Sequence, residues 1–413
     1  MRFLGFLPIL TVLASAQLGL YLSLRAIYLP RPGHQRARVL FGLLLTAGGA
    51  FVAAYLYGTR EGVSLPPALR WLVAYPVLSW YFFSIPLSVL LGLAVSVARR
   101  WPRGASALAA PSAEPQRAPG PAPAAAIERS ASLPESRRVF LARSATGLLG
   151  GAAVLSGVGL VQQEGAPLLT RREIFLSGLH PDLEGLTILQ LSDIHAGSLI
   201  DEARMATVAR RAAALAPDLV VFTGDLLDAS ARAAEPFARG FAGLRGRLGT
   251  FAVLGNHDYF AGPGAAAEAV RAIGGTTLIN QGVRIERGSG SLFLGGVDDP
   301  IAWNLQTGRV DPEAALGKAL RGETRIMLAH RPQLFPLCAN AGAQLVLSGH
   351  THGGQFAFSP RFSMARLITP YTMGLYRRGP SQLYVHRGIG VVAGAPLRLG
   401  SPPELALFTL RKA

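Results

Sequence analysis

The chain has 413 residues, of which half are hydrophobic and only 15% are charged, and its net charge is +16. Soluble domains average about 25% charged residues, so this composition excludes both a disordered protein and a single ordinary soluble globule. The one cysteine, Cys338, excludes a disulfide scaffold and a cysteine-rich zinc cluster. The basic charge indicates nucleic-acid binding only if it forms a surface patch.

Residues 1–100 are predicted to form a membrane region. They contain three long apolar runs, each of which is long enough as a helix to cross a hydrocarbon core of about 30 Å. The predicted transmembrane helices are residues 3–24, 39–58 and 71–97. The alternative, three buried helices of a large soluble core, is disfavoured because core helices rarely run about 20 residues without a charge.

A linker and a fourth apolar segment follow the membrane region. Residues 101–135 are rich in proline and alanine and are predicted to be a flexible or extended cytoplasmic linker. Residues 136–161 are predicted to be a signal or anchor helix, because the string around Arg137 and Arg138 resembles a twin-arginine translocation signal. An ordinary stop-transfer helix is the alternative. No convincing small-residue cleavage site follows, so we expect this helix to remain as an anchor.

The arginines are distributed unevenly between the predicted helices. The first and third connecting segments carry most of them, including Arg36, Arg38, Arg99 and Arg100. Because basic loops remain in the cytoplasm, everything after residue 161 is predicted to lie on the extracytoplasmic side. Many of the excess arginines are thus explained by their role in setting the orientation of the protein in the membrane. The soluble half lacks basic clusters interleaved with aromatic residues, so we expect no nucleic-acid partner.

From about Arg171 onward the pattern is typical of an α/β domain, with short apolar runs alternating with helical stretches. Five of these runs are predicted strands that end in potential metal ligands. They are Leu186–Leu191, Leu219–Thr223, Thr250–Leu254, Thr324–Ala329 and Ala343–Ser348. Loops beyond the carboxyl ends of strands form the ligand crevice of open α/β sheets, so we expect the five loops to converge.

The side chains after these strands are carboxylates, imidazoles and one amide, a set that suits Mn, Fe or Zn. Five of the eight histidines lie there: His195, His257, His330, His350 and His352. The other three, His34, His180 and His386, are interpreted as surface or packing residues. We expect Asp193 and His195 to point the same way from locally extended backbone, with glycines nearby to allow close approach. Each motif alone is compatible with a purely structural role, such as a helix cap or a turn, but together the motifs favour a metal site.

The sequence resembles the calcineurin-like metallophosphoesterase superfamily through five blocks. They are Ser192-Asp193-Ile194-His195, Gly224-Asp225-Leu226-Leu227-Asp228, Gly255-Asn256-His257-Asp258, His330 and Gly349-His350-Thr351-His352-Gly353-Gly354. Between about Glu173 and Leu410, the chain is most similar to membrane-anchored bacterial phosphohydrolases of the YkuE/YaeI type. The resemblance implies a four-layer α/β/β/α sandwich over residues 171–413. The three amino-terminal spans fall outside the resemblance. With the segment 136–161 they predict about four transmembrane helices before the sandwich, in a multi-pass protein of the bacterial inner membrane.

The resemblance also implies a site with two divalent metal ions. Asp193, His195 and His352 would bind the first metal. Asn256, His330 and His350 would bind the second, and Asp225 would bridge both. His257 would be the catalytic acid, oriented by Asp228, while Asp258 matches the last motif position without a defined role. Arg331 is a candidate to clamp a substrate phosphate, and an ordinary surface arginine is the alternative.

The implied activity is hydrolysis of phosphodiester or pyrophosphate bonds by a membrane-anchored enzyme. Two metals about 3.5–4 Å apart would activate a bridging hydroxide that attacks phosphorus, and His257 would protonate the leaving oxygen. The expected partners are a phosphoester substrate and membrane lipids; the sequence does not define the oligomeric state. One alternative is a lipid-linked substrate, hydrolysed by a UDP-2,3-diacylglucosamine-type lipid pyrophosphatase. Another is a non-catalytic membrane sensor or scaffold, which the complete ligand set disfavours.

Overall fold

The computed structural model describes residues 7–29, 32–60, 65–100, 135–197, 199–228, 230–359, 361–391 and 396–413. The predicted linker lies outside the described residues apart from its last residue. The chain divides into two compact units. The first comprises Met1–Ala54 and Val77–Val154, and the second comprises Tyr55–Pro76 and Leu155–Ala413.

Long apolar helices dominate the amino-terminal part of the chain. They are α1 (Leu7–Tyr28), α2 (Gln35–Arg60), α4 (Tyr75–Arg100) and α5 (Glu135–Glu164), with the single turn α3 (Pro67–Leu69) before α4. In the first unit, apolar side chains of α1, α4 and α5 pack together. The buried ones are Leu20, Leu24, Ile27, Leu87, Leu91, Val95, Leu141 and Ala145.

Three helices among the described residues are long and apolar enough to cross a membrane: Gln35–Tyr55, Arg70–Arg100 and Ser136–Glu164. They coincide with the second, third and fourth predicted spans. Helix α1 occupies the position of the first predicted span for 22 residues but is not one of these three. The total of about four spans therefore stays a prediction.

The second unit contains two six-stranded sheets. The first has the order β1 (Leu168–Leu176), β14 (Glu404–Lys412), β2 (Thr187–Leu191), β3 (Leu219–Thr223), β4 (Gly249–Val253) and β5 (Thr276–Thr277). The second has the order β12 (Gly374–Arg378), β13 (Ser381–Val385), β9 (Leu345–Ser348), β8 (Thr324–Leu328), β7 (Gly290–Gly296) and β6 (Gln281–Arg287). The strands β10 (Ala357–Ser359) and β11 (Phe362–Ser363) form a separate hairpin.

Helices cover the outer faces of both sheets. Helices α6 (Glu202–Ala213), α7 (Ala234–Gly240) and α9 (Pro263–Ala272) pack on the first sheet, and α11 (Pro312–Leu316) and α12 (Phe335–Asn340) on the second. Side chains alternate along the strands, so Ile188 faces the opposite sheet while Leu189 faces the helices. The resulting layers are helix, sheet, sheet and helix, which confirms the predicted α/β/β/α sandwich.

The strand ends that were expected to carry the site are aligned. The five predicted strands are present as β2, β3, β4, β8 and β9, each within two residues of its predicted bounds. Strands β2, β3 and β4 run parallel in one sheet, and β8 and β9 run parallel in the other. Each parallel set therefore brings its carboxyl ends to one edge of its sheet.

Candidate metal centre

The predicted ligands lie in tight loops directly after the strands. Five of them have left-handed backbone, with φ between 49° and 71°: Asp193, His195, Asp225, His350 and His352. The prediction of locally extended backbone at Asp193 and His195 is therefore wrong. Non-glycine residues in this region cost of order 1–3 kcal/mol each and persist only where the surroundings hold them, which is common at functional sites. Here Asp193 N donates to Gly224 O at 3.0 Å, and His195 N donates to Asp225 O at 3.0 Å.

Glycine is required beside these loops because the motifs approach each other closely. Gly224 has φ of 88°, and a Cβ on it would lie 2.6 Å from His330 Nδ1 and 2.8 Å from Gly255 N. A Cβ on Gly349 would likewise collide with Ser192 and Asp193. The expected role of the glycines is confirmed at both positions.

One cluster of potential ligands contains Asp193, His195 and His352, with ligand atoms within 4.8 Å of one another. His195 Nε2 lies 3.0 Å from His352 Nε2, and His352 Nε2 lies 3.5 Å from Asp193 Oδ1. All three side chains are buried.

A second cluster contains Asp225, His330 and His350. His330 Nε2 lies 3.2 Å from both Asp225 Oδ2 and His350 Nδ1. The same carboxylate oxygen, Asp225 Oδ2, lies 3.6 Å from His195 Nε2 of the first cluster. Asp225 thus stands between the two clusters.

The donor chemistry of this site fits divalent cations. His330 Nδ1 hydrogen-bonds the carbonyl oxygen of Thr223 at 2.8 Å, which makes Nδ1 the donor and leaves Nε2 facing Asp225. Two further buried oxygens, Asp193 Oδ2 and Asn256 Oδ1, have no hydrogen-bond partner. Asn256 lies between Gly255 and His257 at the start of helix α8 (Asn256–Ala261), and His257 N donates to Asp225 Oδ1 at 2.8 Å. Buried oxygen atoms without donors, close to buried imidazoles, are suited to bind a cation.

His257 and Asp228 lie together beside the first cluster. His257 Nδ1 is 2.8 Å from Asp228 O and 3.3 Å from Asp228 Oδ1. Burial by itself lowers the pKa of His257, but the hydrogen bond to Asp228 and the charges of Asp225 and Asp228 outweigh it and raise the pKa to about 9. Asp228 Oδ1 also lies 3.2 Å from His195 Nδ1, a contact that the sequence did not predict. One carboxylate therefore orients two imidazoles.

Asp258 ties two of the motif loops together. Its carboxylate accepts hydrogen bonds from the backbone N–H groups of Leu226, Leu227 and Gly255, all at 2.9 Å. Burial and the nearby charge of Asp225 raise the pKa of Asp258 to about 7. Its contacts fix the loop that carries Asp225 against the loop that carries Asn256.

Two arginines border the clusters, and only one was singled out from the sequence. Arg331 Nε donates to the buried carboxylate of Asp299 at 2.9 and 3.1 Å, so it is held beside His330 and only partly exposed. Its role in phosphate binding stays a prediction. Arg398 is completely buried, with Nη2 lying 3.0 Å from His352 Nδ1. No local pattern around Arg398 distinguishes it, because its contacts come from residues distant in sequence.

Comparison with known proteins gives the family. Residues 186–354 match the model of the calcineurin-like phosphoesterases. Metallophosphoesterase YkuE of Bacillus subtilis is 31% identical over 292 residues, which cover 67% of this chain and 98% of that protein. This chain belongs to the calcineurin-like metallophosphoesterases. A metallophosphoesterase of Aquifex aeolicus is 33% identical to it and matches 55% of this chain and 85% of its own length. The predicted resemblance is confirmed, and it assigns the domain to the metal-dependent phosphoester hydrolases.

Other relatives of this metallophosphoesterase are named as transmembrane proteins. The bovine transmembrane protein with metallophosphoesterase domain is 35% identical over 272 residues, 63% of this chain and 61% of the bovine protein. The match thus spans about three fifths of that relative. Together with the three apolar helices, these relatives indicate that the metallophosphoesterase is associated with a membrane.

Proposed function

We propose that this metallophosphoesterase is a two-metal enzyme that hydrolyses phosphodiester or pyrophosphate bonds at a bacterial inner membrane. The position of Asp225 carries the proposal. Its Oδ2 lies 3.6 Å from His195 Nε2 in one cluster and 3.2 Å from His330 Nε2 in the other. A single carboxylate between two sets of imidazoles is the arrangement that a shared ligand of two neighbouring cations requires.

The proposed ligands divide into two sets that share Asp225. The first set is Asp193, His195 and His352, and the second is Asn256, His330 and His350. Nitrogen and oxygen donors without thiolate favour Mn, Fe or Zn. Bound there, such cations supply Lewis acidity, which lowers the pKa of water and offsets charge on the phosphoryl oxygens.

His257 is the proposed general acid. Its Nδ1 is bonded to Asp228, which fixes the orientation of the ring and leaves Nε2 available to a substrate. A proton held at Nε2 can pass to the leaving oxygen, a contribution of typically 10²–10⁴-fold. Because Asp228 also contacts His195, it aligns the acid with a proposed ligand.

Contacts within the second unit link the segment before the third predicted span to the catalytic domain. Arg70, which lies between the second and third predicted spans, forms an ion pair with Asp201 of the domain. Tyr75 donates to Glu164, at the end of α5, at 2.6 Å. Segments separated by two membrane crossings lie on the same side, so these contacts agree with the orientation inferred from the arginines. Export by the twin-arginine pathway remains a prediction.

A lipid-linked pyrophosphate of the UDP-2,3-diacylglucosamine type is the second candidate substrate. Phe260 is half-exposed and its ring lies 5.6 Å from the ring of His257, edge to face. An apolar surface beside the proposed acid favours a substrate with an apolar part. The predicted orientation favours the first proposal, because this pyrophosphatase reaction is expected at the cytoplasmic face.

The test is a substrate screen of the purified full-length protein in detergent. Monoester, diester and pyrophosphate substrates are each combined with Mn, Zn, Fe or Mg after removal of bound metal. We expect metal-dependent hydrolysis of bis(p-nitrophenyl) phosphate or of a pyrophosphate, and its loss with a chelator. A protein that binds metal but hydrolyses none of these substrates would overturn the proposal in favour of the sensor or scaffold alternative.

A further inference from the structure

An exposed apolar hairpin follows the last metal motif. It comprises residues 356–359 and 361–368, which include β10, β11 and a turn of 3₁₀ helix over Met364–Leu367. Three large apolar side chains on it are exposed to 74% (Phe362), 79% (Leu367) and 79% (Ile368). Neighbouring apolar side chains that are this exposed mark a binding surface rather than an ordinary solvent-facing loop.

The apolar hairpin is held in place by its own hydrogen bonds. Ser363 is buried, and its hydroxyl donates to Gly353 O at 2.9 Å. Met364 N donates to Phe356 O at 3.1 Å, and Thr369 N donates to Ala365 O at 2.9 Å. The base of the hairpin is therefore fastened to the glycine that follows His352, while the apolar side chains point outward.

The apolar hairpin also lies next to the end of helix α5. Leu399 joins the hairpin base through two hydrogen bonds: Leu399 N donates to Gln355 O at 2.7 Å, and Ala357 N donates to Leu399 O at 2.8 Å. The residue before it, Arg398, donates its N–H to Gly159 O of α5 at 3.1 Å. A single stretch of extended chain thus connects the hairpin to the last turns of the helix Ser136–Glu164, one of the three that are able to cross a membrane.

Every charged side chain on the apolar hairpin is basic. Arg361 and Arg366 are exposed on it, and the sequence has no aspartate or glutamate between Glu323 and Glu404. Basic residues near an anionic membrane surface are attracted to its lipid headgroups. Apolar side chains flanked by arginines are the pattern of a segment that lies in a lipid interface.

We infer that the apolar hairpin inserts into the surface of the lipid bilayer. Phe362, Leu367 and Ile368 enter the boundary between headgroups and acyl chains, and Arg361 and Arg366 contact anionic headgroups. The inference rests on the membrane placement proposed above. It gives the catalytic domain a second attachment beside α5, and it fixes the loop of His350 and His352 near the interface, where a phosphate of a membrane-resident substrate would lie.

The experiment measures the depth of a fluorophore on the hairpin. Leu367→Cys is labelled with an environment-sensitive fluorophore in the full-length protein, reconstituted in vesicles of phosphatidylcholine and phosphatidylglycerol. The native Cys338 does not compete, because it is buried and burial raises the pKa of its thiol to about 12. The vesicles carry lipids with a nitroxide quencher either near the headgroup or near the bilayer centre.

The chain offers a matched control at the opposite end of β8. Leu320 is exposed to 57%, lies between the exposed Lys318 and Arg321, and precedes β8, whereas His330 follows it. Leu320→Cys therefore reports on an exposed leucine with basic neighbours at the end of β8 opposite to His330. Circular dichroism of both labelled proteins is measured to check that they are folded.

We expect blue-shifted emission and strong quenching by the shallow nitroxide at position 367, and neither at position 320, since an interfacial segment enters the bilayer by about 5–10 Å. The double substitution R361Q/R366Q should weaken quenching in anionic vesicles, while K318Q/R321Q should not.

Equal quenching at the two positions would overturn the inference. Blue-shifted emission without lipid quenching would also overturn it, because a protein partner or a second copy would then cover the hairpin. The readout needs no catalysis, so its failure is distinct from failure of the proposed hydrolase.

Discussion

Asp225 and His330 illustrate how the buried groups of this site suit a cation. Nε2 of His330 lies 3.2 Å from Asp225 Oδ2, and the remaining nitrogen of His330 is already hydrogen-bonded to a backbone carbonyl. Burial removes the water that would otherwise solvate them. At the scale of single residues, the site is therefore a set of buried nitrogen and oxygen atoms held within a few ångströms of one another, which suits a bound cation.

The role of His257 can be tested at this scale. His257→Ala should lower kcat by about 10²–10⁴-fold, because only the proton donor is removed. Metal content, measured on the purified protein by mass spectrometry, should stay at the wild-type value. His180→Ala is the control, since His180 is a half-exposed histidine that caps a short turn outside the clusters. Loss of metal from His257→Ala would show that His257 is a ligand, which its position within 4.8 Å of His195 and Asp225 allows.

At the scale of secondary structure, the tight turns that follow the buried strands position the candidate ligands. Each predicted ligand stands immediately after a buried strand, and the chain must reverse there within a few residues. Left-handed backbone at Asp193, Asp225 and His350 achieves this reversal. Neighbouring loops then lie so close together that they leave no room for a side chain at positions such as Gly224.

Two glycine substitutions distinguish the effect of a steric clash between motif loops from the effect of backbone strain. Gly224 and Gly243 have similar φ values, 88° and 83°, but a Cβ meets His330 only at Gly224 and open space at Gly243. Alanine at either position carries the same kind of backbone cost, roughly 1–2 kcal/mol. We expect Gly224→Ala to lose bound metal and Gly243→Ala to keep it. Equal metal content in the two variants would contradict the close approach of the motif loops.

Glu404, at the start of β14, makes stability depend on pH. Its carboxylate accepts from Tyr384 Oη at 2.8 Å and from Arg387 Nη2 at 2.9 Å. Burial by itself raises the pKa of Glu404, but the surrounding positive charge and hydrogen bonds lower it from 4.5 to about 2. Because the pKa is lower in the folded state, the stabilisation is complete above the unfolded value and is lost as pH falls towards about 2.

The expected size of this effect is about 3 kcal/mol. The difference in free energy of unfolding between wild type and Glu404→Gln, measured by urea titration, should shrink by about this amount from neutral pH to about pH 2. Glu173→Gln is the control, since Glu173 is exposed and pairs with Arg411 on the surface. Such pairs contribute at most about 1 kcal/mol. A difference for Glu404→Gln that did not change with pH would exclude this linkage.

At the scale of the whole molecule, the sequence predicted those strands and site residues that are defined by short stretches of neighbouring residues. The central strands and the ligands after them were found because buried strands are short apolar runs and metal ligands are few residue types. The pairing of β1 with β14, the apolar hairpin and the contact of Arg398 with His352 were not found. These features join residues far apart in sequence, and neither periodicity nor spacing records such contacts.

The orientation of the molecule in the membrane gives a separate prediction. A periplasm-dependent reporter fused after Ala413 should be active, because the arginine-rich segments hold the opposite loops in the cytoplasm. A fusion truncated after Arg100, at the end of α4, is the control and should be active only with a cytoplasmic reporter. If the Ala413 fusion is active only inside the cell, the orientation is wrong and the lipid pyrophosphatase becomes the leading hypothesis.

The metal content of Asp225→Asn tests the central claim most directly. Asp218→Asn is its control, because Asp218 is also buried but lies at the opposite end of β3, where it pairs with Arg247. If one carboxylate serves both cations, wild type and Asp218→Asn should each bind a pair of metal ions per chain, and Asp225→Asn should lose occupancy of both together. Full retention of metal by Asp225→Asn, or loss of one ion with the other unaffected, would contradict the shared centre.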